Sequence, residues 1–421
     1  MGLIEAKARG AQVLTFGCRL NAFESDVIRA EADAAGLRDA VVVNTCAVTG
    51  EAVRQARQAI RKARRENPHA RIIVTGCAAE TETARFMDMP EIDLVLGNRE
   101  KLTRDAYARL SGERTRVAGI MTARDFGAAA ALRQQGRARA YLAVQNGCDH
   151  RCTFCIIPYG RGPSRSLPAG AAVDAVKRLV DDGAGEVVLT GVDLTAYGRD
   201  LPGAPALGRL VQQILKHVPD LKRLRLSSID SVEADAALLD AIASEPRLMP
   251  HLHLSLQAGD DMVLKRMKRR HSRTDAIAFC ETMRAKRPDI AFGADLIAGF
   301  PTETDAMAEN TLKLVDECGL SYLHVFPFSP RDGTPAARMP QVPGAVVKAR
   351  AKALREKGEA ALKRHLDARI GRDISVIVEE PGLARAADFT LVAVANALRP
   401  GAILTLRATA HDGTKLIANA A

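Results

Sequence analysis

The chain has no tryptophan, and aromatic residues make up 4% of its 421 positions. Base stacking on an aromatic platform is therefore not the obvious way for it to hold a nucleic acid. No apolar run approaches the length needed to span a bilayer, and the start, MGLIEAKARG, lacks the apolar stretch of a signal peptide. The expected compartment is the cytosol, with no membrane partner. No glycine-rich fingerprint follows the first predicted strand, which disfavours an ordinary dinucleotide-binding domain. What the chain does have is eight cysteines. In a cytosolic protein they point to metal or redox chemistry rather than a disulfide framework. Sixty basic against fifty acidic residues give +10, a modest excess that suits a polyanionic partner. Hydrophobic residues at 47% and charged residues at 26% mark a globular chain, long enough for about three domains.

The first third alternates short β-branched runs (Val13–Phe16, Val41–Val43, Ile72–Thr75, Leu94–Leu96) with segments of helical periodicity (Asn21–Ala35, Glu51–Glu66). That alternation predicts a parallel sheet covered by helices. Three of the strands end at a cysteine, Cys18, Cys46 and Cys77, spaced by 28 and 31 residues, about one strand–helix–strand unit each. Successive parallel strands end along one edge, where ligands bind, so three thiols distant in sequence are expected to meet. Thr122–Arg139, rich in Ala, Gly, Gln and Arg, reads as a connector. Six further strands follow: Tyr141–Gln145, Val187–Thr190, Arg223–Ser227, His251–Gln257, Phe292–Ile297 and Tyr322–Phe326, with helices between them such as Ala169–Asp181 and Thr274–Lys286. Six units are too few for a closed eightfold barrel and predict a partial one. In His251–Gln257 the leucines alternate with polar residues, which places the polar face toward the barrel interior. Val346–Arg369 reads as a basic helix, with eight Lys/Arg against three acidic residues. Ser375–Val378, Phe389–Ala395, Ile403–Leu406 and Leu416–Ala418 then predict a small β-barrel.

Cys148, Cys152 and Cys155 lie just beyond the first strand of the partial barrel, three thiols within eight residues. A structural zinc site wants four ligands, and no fourth cysteine is near; ligation by His150, between two of the thiols, would need a strained loop. Three thiolates on a cubane iron–sulfur cluster leave one iron open for a substrate or cofactor. A zinc loop completed by a remote residue is the blander alternative. Cys18, Cys46 and Cys77 fit a second cluster of the same kind, although single cysteines at strand ends are usually small apolar residues. Cys280 and Cys318 fall in helical segments among apolar neighbours and read as packed core thiols.

The chain resembles the radical S-adenosylmethionine (SAM) methylthiotransferases nearly end to end, from about Gln12 to Ile417. The resemblance rests on GCRLNAFE (Gly17–Glu24), NTCAVT (Asn44–Thr49), VTGC (Val74–Cys77) and CDHRCTFC (Cys148–Cys155). It continues through YGRGPSRS (Tyr159–Ser166), LTGVDLTAYG (Leu189–Gly198), LHLSLQAGDDMVLKRMKR (Leu252–Arg269) and HVFPFSPRDGTPAA (His324–Ala337). GCRLN and NTCAVT are most similar to the branch acting on N6-threonylcarbamoyladenosine beside the tRNA anticodon. The resemblance implies an N-terminal methylthiotransferase domain over 10–121, a radical SAM partial barrel over 138–366 and a TRAM-like β-barrel over 368–421. It implies two 4Fe–4S clusters. Cys148, Cys152 and Cys155 would hold the one that binds and cleaves SAM to a 5′-deoxyadenosyl radical. Cys18, Cys46 and Cys77 would hold an auxiliary cluster carrying the sulfur to be transferred. The radical would remove hydrogen from C2 of adenine, which has no useful acidity, and a second SAM would supply the methyl group. Gly191, Asp193, Ser255, Gln257 and Gly299 stand where family members bind SAM, at the carboxyl ends of barrel strands. Asp193 stands where relatives often have His or Asn, and Thr302 where Gly is common. Without the resemblance, the glycines read as turn residues and Ser255 and Gln257 as satisfied barrel polars.

The implied partners are tRNA, an electron donor such as a flavodoxin or ferredoxin, and a sulfur source. Candidate RNA contacts are Arg161, Arg165, the Lys265–Arg270 group, the basic helix and the C-terminal barrel, where phosphate contacts would grip the backbone. Each charge run taken alone reads first as a solvated face. Two other readings compete: the same chemistry on a ribosomal-protein side chain, and a non-catalytic, zinc-stabilised RNA-binding protein.

Overall fold

The computed structural model describes residues 10–108, 112–127 and 138–420, so the connector read at Thr122–Arg139 lies outside the described residues over 128–137. Two compact units are present. One holds the N-terminal residues to 132 with 146–150 and 155–165; the other holds 133–145, 151–154 and 166–421.

The first unit is a five-stranded parallel sheet in sequence order: Gln12–Thr15, Ala40–Thr45, Arg71–Gly76, Leu94–Leu96 and Thr115–Arg116. The last strand, two residues long, gives no sequence signal. Side chains alternate between the two faces. Val41, Val43, Val74 and Val95 join a core with Val53 and Ile60 of the helix Gly50–Glu66. Val42, Ile73 and Leu96 join another with Ile28 of the helix Arg19–Ala34 and with Tyr107. A sheet buried on both faces explains the unbroken β-branched run of Val41–Val43, each such side chain contributing about 1.5–3 kcal/mol. Thr49 starts the helix Gly50–Glu66 by accepting the Ala52 N–H at 3.1 Å, and Arg64 and Arg65 lie in its last turn, where the helix dipole favours cations.

In the second unit six parallel strands form an open arc: Arg139–Ala143, Glu186–Thr190, Arg223–Leu226 (continued as Ser228–Ile229), His251–Gln257, Ala291–Ala298 and Leu320–Pro327. Helices Ala169–Asp181, Leu207–His217, Ala236–Ser244, Arg273–Lys286 and Asp305–Glu317 connect them. The helix Arg273–Lys286 opens on a capping box between Ser272 and Asp275. Cys280 and Cys318 are fully buried core thiols, as expected. The basic helix runs over Gly344–Asp367, with Gly358 close against Leu323 of the last strand.

A closed five-stranded barrel follows, from Asp373–Glu380, Leu383–Ala386, Leu391–Ala393, Leu416–Ala420 and Ile403–His411 in spatial order. Two expectations are corrected here. Leu383–Ala386, of sequence LARA, carries no β-branched pattern and is a strand only because it pairs on both sides. The predicted strand Phe389–Ala395 shrinks to Leu391–Ala393, because Phe389 has a left-handed backbone (φ 77°) that no strand accommodates.

This second barrel meets the amino-terminal ends of several arc strands: Arg139 of the first reaches Glu379, Arg223 of the third reaches Ser375 Oγ at 2.7 Å, and His251 of the fourth meets Phe389. The Phe389 ring stacks on His251 at 4.5 Å between centroids, with the guanidinium groups of Arg139, Arg225 and Arg385 at 5.4, 5.3 and 4.4 Å. Arg139 and Arg225 each donate to the fully buried Glu186 at 2.7 Å, and Arg139 also reaches Glu379 at 2.8 Å. No helix among the described residues is long and apolar enough to cross a membrane.

Candidate functional site

Cys18, Cys46 and Cys77 occupy equivalent places at the carboxyl edge of the first sheet. Cys18 caps the helix Arg19–Ala34, Cys46 directly follows the strand Ala40–Thr45, and Cys77 directly follows Arg71–Gly76. Two glycines let them approach. A side chain on Gly17 (φ 95°) would put its Cβ 2.8 Å from the Cys46 sulfur, and one on Gly76 (φ 97°) would lie 2.3 Å from the Thr45 carbonyl. Burial, with Cys77 and Cys18 adding to it, pushes the Cys46 thiol up to about 12. Three converging thiols, with no fourth cysteine beside them among the described residues, fit a cubane cluster with one open iron, and a metal would supply the charge that deprotonates them.

Beneath the thiols lies a buried polar network. Glu24, Lys101 and Arg161 are each no more than 2% exposed. Lys101 Nζ lies 2.6 Å from Glu24 Oε2, and Arg161 Nη2 lies 2.9 Å from the same oxygen. Arg161 Nε donates to Cys77 Sγ at 3.1 Å, and its fork also reaches Asn21 Oδ1. Asn44 ties the network to the sheet through the Asn21 carbonyl and Ser25 Oγ, both at 3.1 Å. Burial alone would raise the Glu24 carboxyl, but Arg161 and Lys101 outweigh it and hold it at about 2. Arg161 and Arg165 are thus corrected as RNA contacts. They are 2% and 5% exposed, and Arg165 donates to the Pro163 and Arg161 carbonyls at 3.0 and 3.1 Å.

Cys148 and Cys155 belong to the first unit and Cys152 to the second. Cys148 N–H donates to the Gly162 carbonyl at 3.0 Å; Gly147 (φ 76°) sits so close to Pro163 that a Cβ would lie 1.8 Å from its carbonyl oxygen. In the second unit, Thr153 bonds the Met267 and Arg266 carbonyls through its N–H and hydroxyl at 3.1 and 2.8 Å, and Arg269 faces the Cys152 sulfur at 3.9 Å.

The residues matched to SAM binding all lie at carboxyl ends of arc strands. Gly191 and Asp193 follow Glu186–Thr190; Gln145 Oε1 fixes their loop by accepting the Val192 and Asp193 N–H groups at 2.9 and 2.8 Å. Ser255 and Gln257 end His251–Gln257, with the Ser255 carbonyl held by Arg269 at 2.7 Å and Gln257 in a left-handed conformation (φ 69°). Gly299 follows Ala291–Ala298, donates to Glu303 Oε2 at 2.9 Å and packs against Val347.

Sequence reasoning missed Glu24, Asn21 and Lys101, and a trio in the arc interior. His253, Asp295 and His324 stand on three neighbouring strands, with His253 Nε2 and His324 Nδ1 at 2.9 and 3.1 Å from Asp295 Oδ1. Burial raises the Asp295 carboxyl, and the two imidazoles outweigh it and hold it well below the usual carboxylate range. The alternation at His251–Gln257 was the signal that put His253 on the inner face.

The arc and the cysteine loop after its first strand place the chain among radical SAM proteins, and the Radical SAM superfamily profile matches residues 142–315. The profile of the Uncharacterized protein family UPF0004 matches residues 11–97. The chain is 51% identical over 392 residues (93% of each chain) to the threonylcarbamoyladenosine tRNA methylthiotransferase MtaB of Rickettsia prowazekii. It is 36% identical to the MtaB of Thermotoga maritima, over 87% of this chain and 86% of that one. It is also 36% identical to the tRNA-2-methylthio-N(6)-dimethylallyladenosine synthase of Erythrobacter litoralis, over 88% and 86%. Among solved structures, the radical SAM methyltransferase TsrM of Kitasatospora setae shares the fold at TM-score 0.53 and 16% identity, covering 76% of this chain and 68% of that one. The chain belongs to the radical SAM methylthiotransferase family. It is a transferase, and the non-catalytic zinc reading gives way.

Proposed function

We propose that the enzyme installs a methylthio group at C2 of N6-threonylcarbamoyladenosine beside the anticodon of tRNA, in the cytoplasm. It would use two 4Fe–4S clusters, with SAM as both radical source and methyl donor. The observation that carries this reading is the convergence of Cys18, Cys46 and Cys77 on one sheet edge beside Arg161. The acceptor rests on the names of the relatives at 51% and 36% identity. When bound, the clusters and SAM supply the electron, the hydrogen abstraction, the sulfur and the methyl group.

The chain's own residues hold and position these groups. Cys148, Cys152 and Cys155 would ligate the SAM-cleaving cluster; Cys18, Cys46 and Cys77 would ligate the auxiliary one. Gln145 fixes the Gly191–Asp193 loop, which would receive the SAM amino group, and Ser255, Gln257 and Gly299 would also bind SAM. Exposed Lys265, Lys268, Lys348, Lys352 and Arg355 supply phosphate contacts, whose affinity falls with salt. The reaction consumes electrons and sulfur, so a flavodoxin- or ferredoxin-like donor and a sulfur source are partners.

Mass spectrometry of nucleosides from bulk tRNA, with and without the gene, tests the reading. Loss of 2-methylthio-N6-threonylcarbamoyladenosine with accumulation of its precursor is expected. Loss of the dimethylallyl counterpart instead would correct the nucleoside, and an unchanged tRNA profile would move the acceptor to protein. Purified protein should carry about eight irons when fully loaded. The Cys18→Ala, Cys46→Ala, Cys77→Ala variant should keep about half of that iron and still cleave SAM reductively.

A further inference from the structure

The network under Cys18, Cys46 and Cys77 does not balance in charge. With each group in its ordinary ionised form, Glu24 contributes one negative charge and Lys101 and Arg161 one positive charge each, a net single positive charge among side chains at most 2% exposed. Among the described residues, Glu24 is the one carboxylate bonded to either cation. A stability-only ion pair needs no second cation, and an uncompensated buried charge is costly. The surplus also has a direction. Arg161 spends Nη1 and Nη2 on Glu24 and Asn21 and aims Nε at the Cys77 sulfur, 3.1 Å away. A neutral thiol is a poor acceptor for that N–H, whereas a thiolate is a good one.

We infer that Glu24, Lys101 and Arg161 form the electrostatic seat of the auxiliary cluster, a role that rests on the reading of the three thiols as its ligands. An oxidised cubane core carries two positive charges, and three thiolates bring the assembly to a single negative charge. The seat's single positive charge matches it. The same cation and the N–H to the Cys77 sulfur favour the form with one more electron, so they raise the reduction potential; hydrogen bonds to sulfur and local charge are among the levers that set it. Arg161 is therefore a positioning residue for the sulfur-bearing centre and not an RNA contact.

The test uses full-length protein with Cys148→Ala, Cys152→Ala and Cys155→Ala, so that the auxiliary cluster is the only iron centre. The cluster is titrated with dithionite and followed by electron paramagnetic resonance and iron analysis. In that background Arg161→Gln should lower the reduced-to-oxidised ratio at fixed potential at least tenfold, about 59 mV for a one-electron couple. Arg161→Lys, which keeps the charge and loses the fork, should shift it less. Glu24→Gln should keep its iron and shift the ratio the opposite way, because it leaves both cations in place. Opposite shifts are something a merely structural role would not produce. Unmoved potentials, shifts of the same sign, or loss of iron from Glu24→Gln would each overturn the inference. If Arg161→Gln holds no iron, the rise in Glu24→Gln decides alone. A parent variant without any cluster signal would instead sink the cluster reading itself.

Discussion

His253 Nε2 lies 2.9 Å from Asp295 Oδ1 on the neighbouring strand, and the histidine side chain is 4% exposed. The same oxygen meets His324 Nδ1 at 3.1 Å, but that side chain is 53% exposed. Exposure separates the two contacts. Removing the carboxylate by Asp295→Asn leaves a buried imidazole without its charged partner and should cost about 1.5–3 kcal/mol. His324→Gln removes a contact screened by water and should cost less than about 1 kcal/mol. Urea midpoints at pH 7 check both. Equal costs would mean that burial does not decide the strength of these bonds.

Glu186 carries the pH dependence that is simplest to assign. Burial raises its carboxyl, but Arg225 and Arg139 outweigh this and hold it at about 2. A carboxyl with a depressed folded value stabilises the fold above its unfolded value of about 4.3, and that contribution fades as pH falls toward the folded value. Glu186→Gln should cost about 3–5 kcal/mol at pH 7, since it leaves the buried Arg225 guanidinium without its carboxylate, while Arg139 keeps Glu379. The variant should also lose much of the stability change seen in the parent protein between about pH 4.3 and pH 2. Thermal melts across that window check it, and a parallel offset at every pH would exclude Glu186 as the source.

Phe389 joins the two barrels of the second unit through its stack on His251. Phe389→Ala should cost about 3 kcal/mol from lost burial and ring contacts. It should also split one melting transition into two and open the chain to protease near Arg369–Arg372, between the long helix and the last barrel. A single transition, shifted but intact, would show that the ring does not couple the barrels.

Thr302 has a left-handed backbone (φ 66°), which costs a branched side chain about 1–2 kcal/mol. The residue is read in sequence as standing where glycine is common in the family. Thr302→Gly should stabilise the protein by up to about 1 kcal/mol, the loss of strain being partly offset by the freer unfolded chain. A lowered melting temperature would contradict this.

Much of this was legible in the sequence. The strands that end at Cys18, Cys46 and Cys77 could be read from β-branched runs, and six strands rather than eight could be counted. The alternating residues of His251–Gln257 gave the inner face. What was not legible depends on partners far away along the chain. Arg161 sits in a stretch that reads as basic, and its carboxylate partner is 137 positions distant. Asp295 meets histidines 42 and 29 positions away. Leu383–Ala386 is a strand because of its neighbours, not its residues. Periodicity reports which face a residue takes, and it is silent on what waits there.

The last barrel sits on the six-stranded arc through a specific set of side chains: Phe389 and Glu379 on one side, and His251, Arg139 and Arg225 on the other. It is therefore not an exchangeable cassette. A chimera that takes this barrel from a relative inherits a plug cut for another socket, so transplants should succeed only when the residues at the strand starts travel with it.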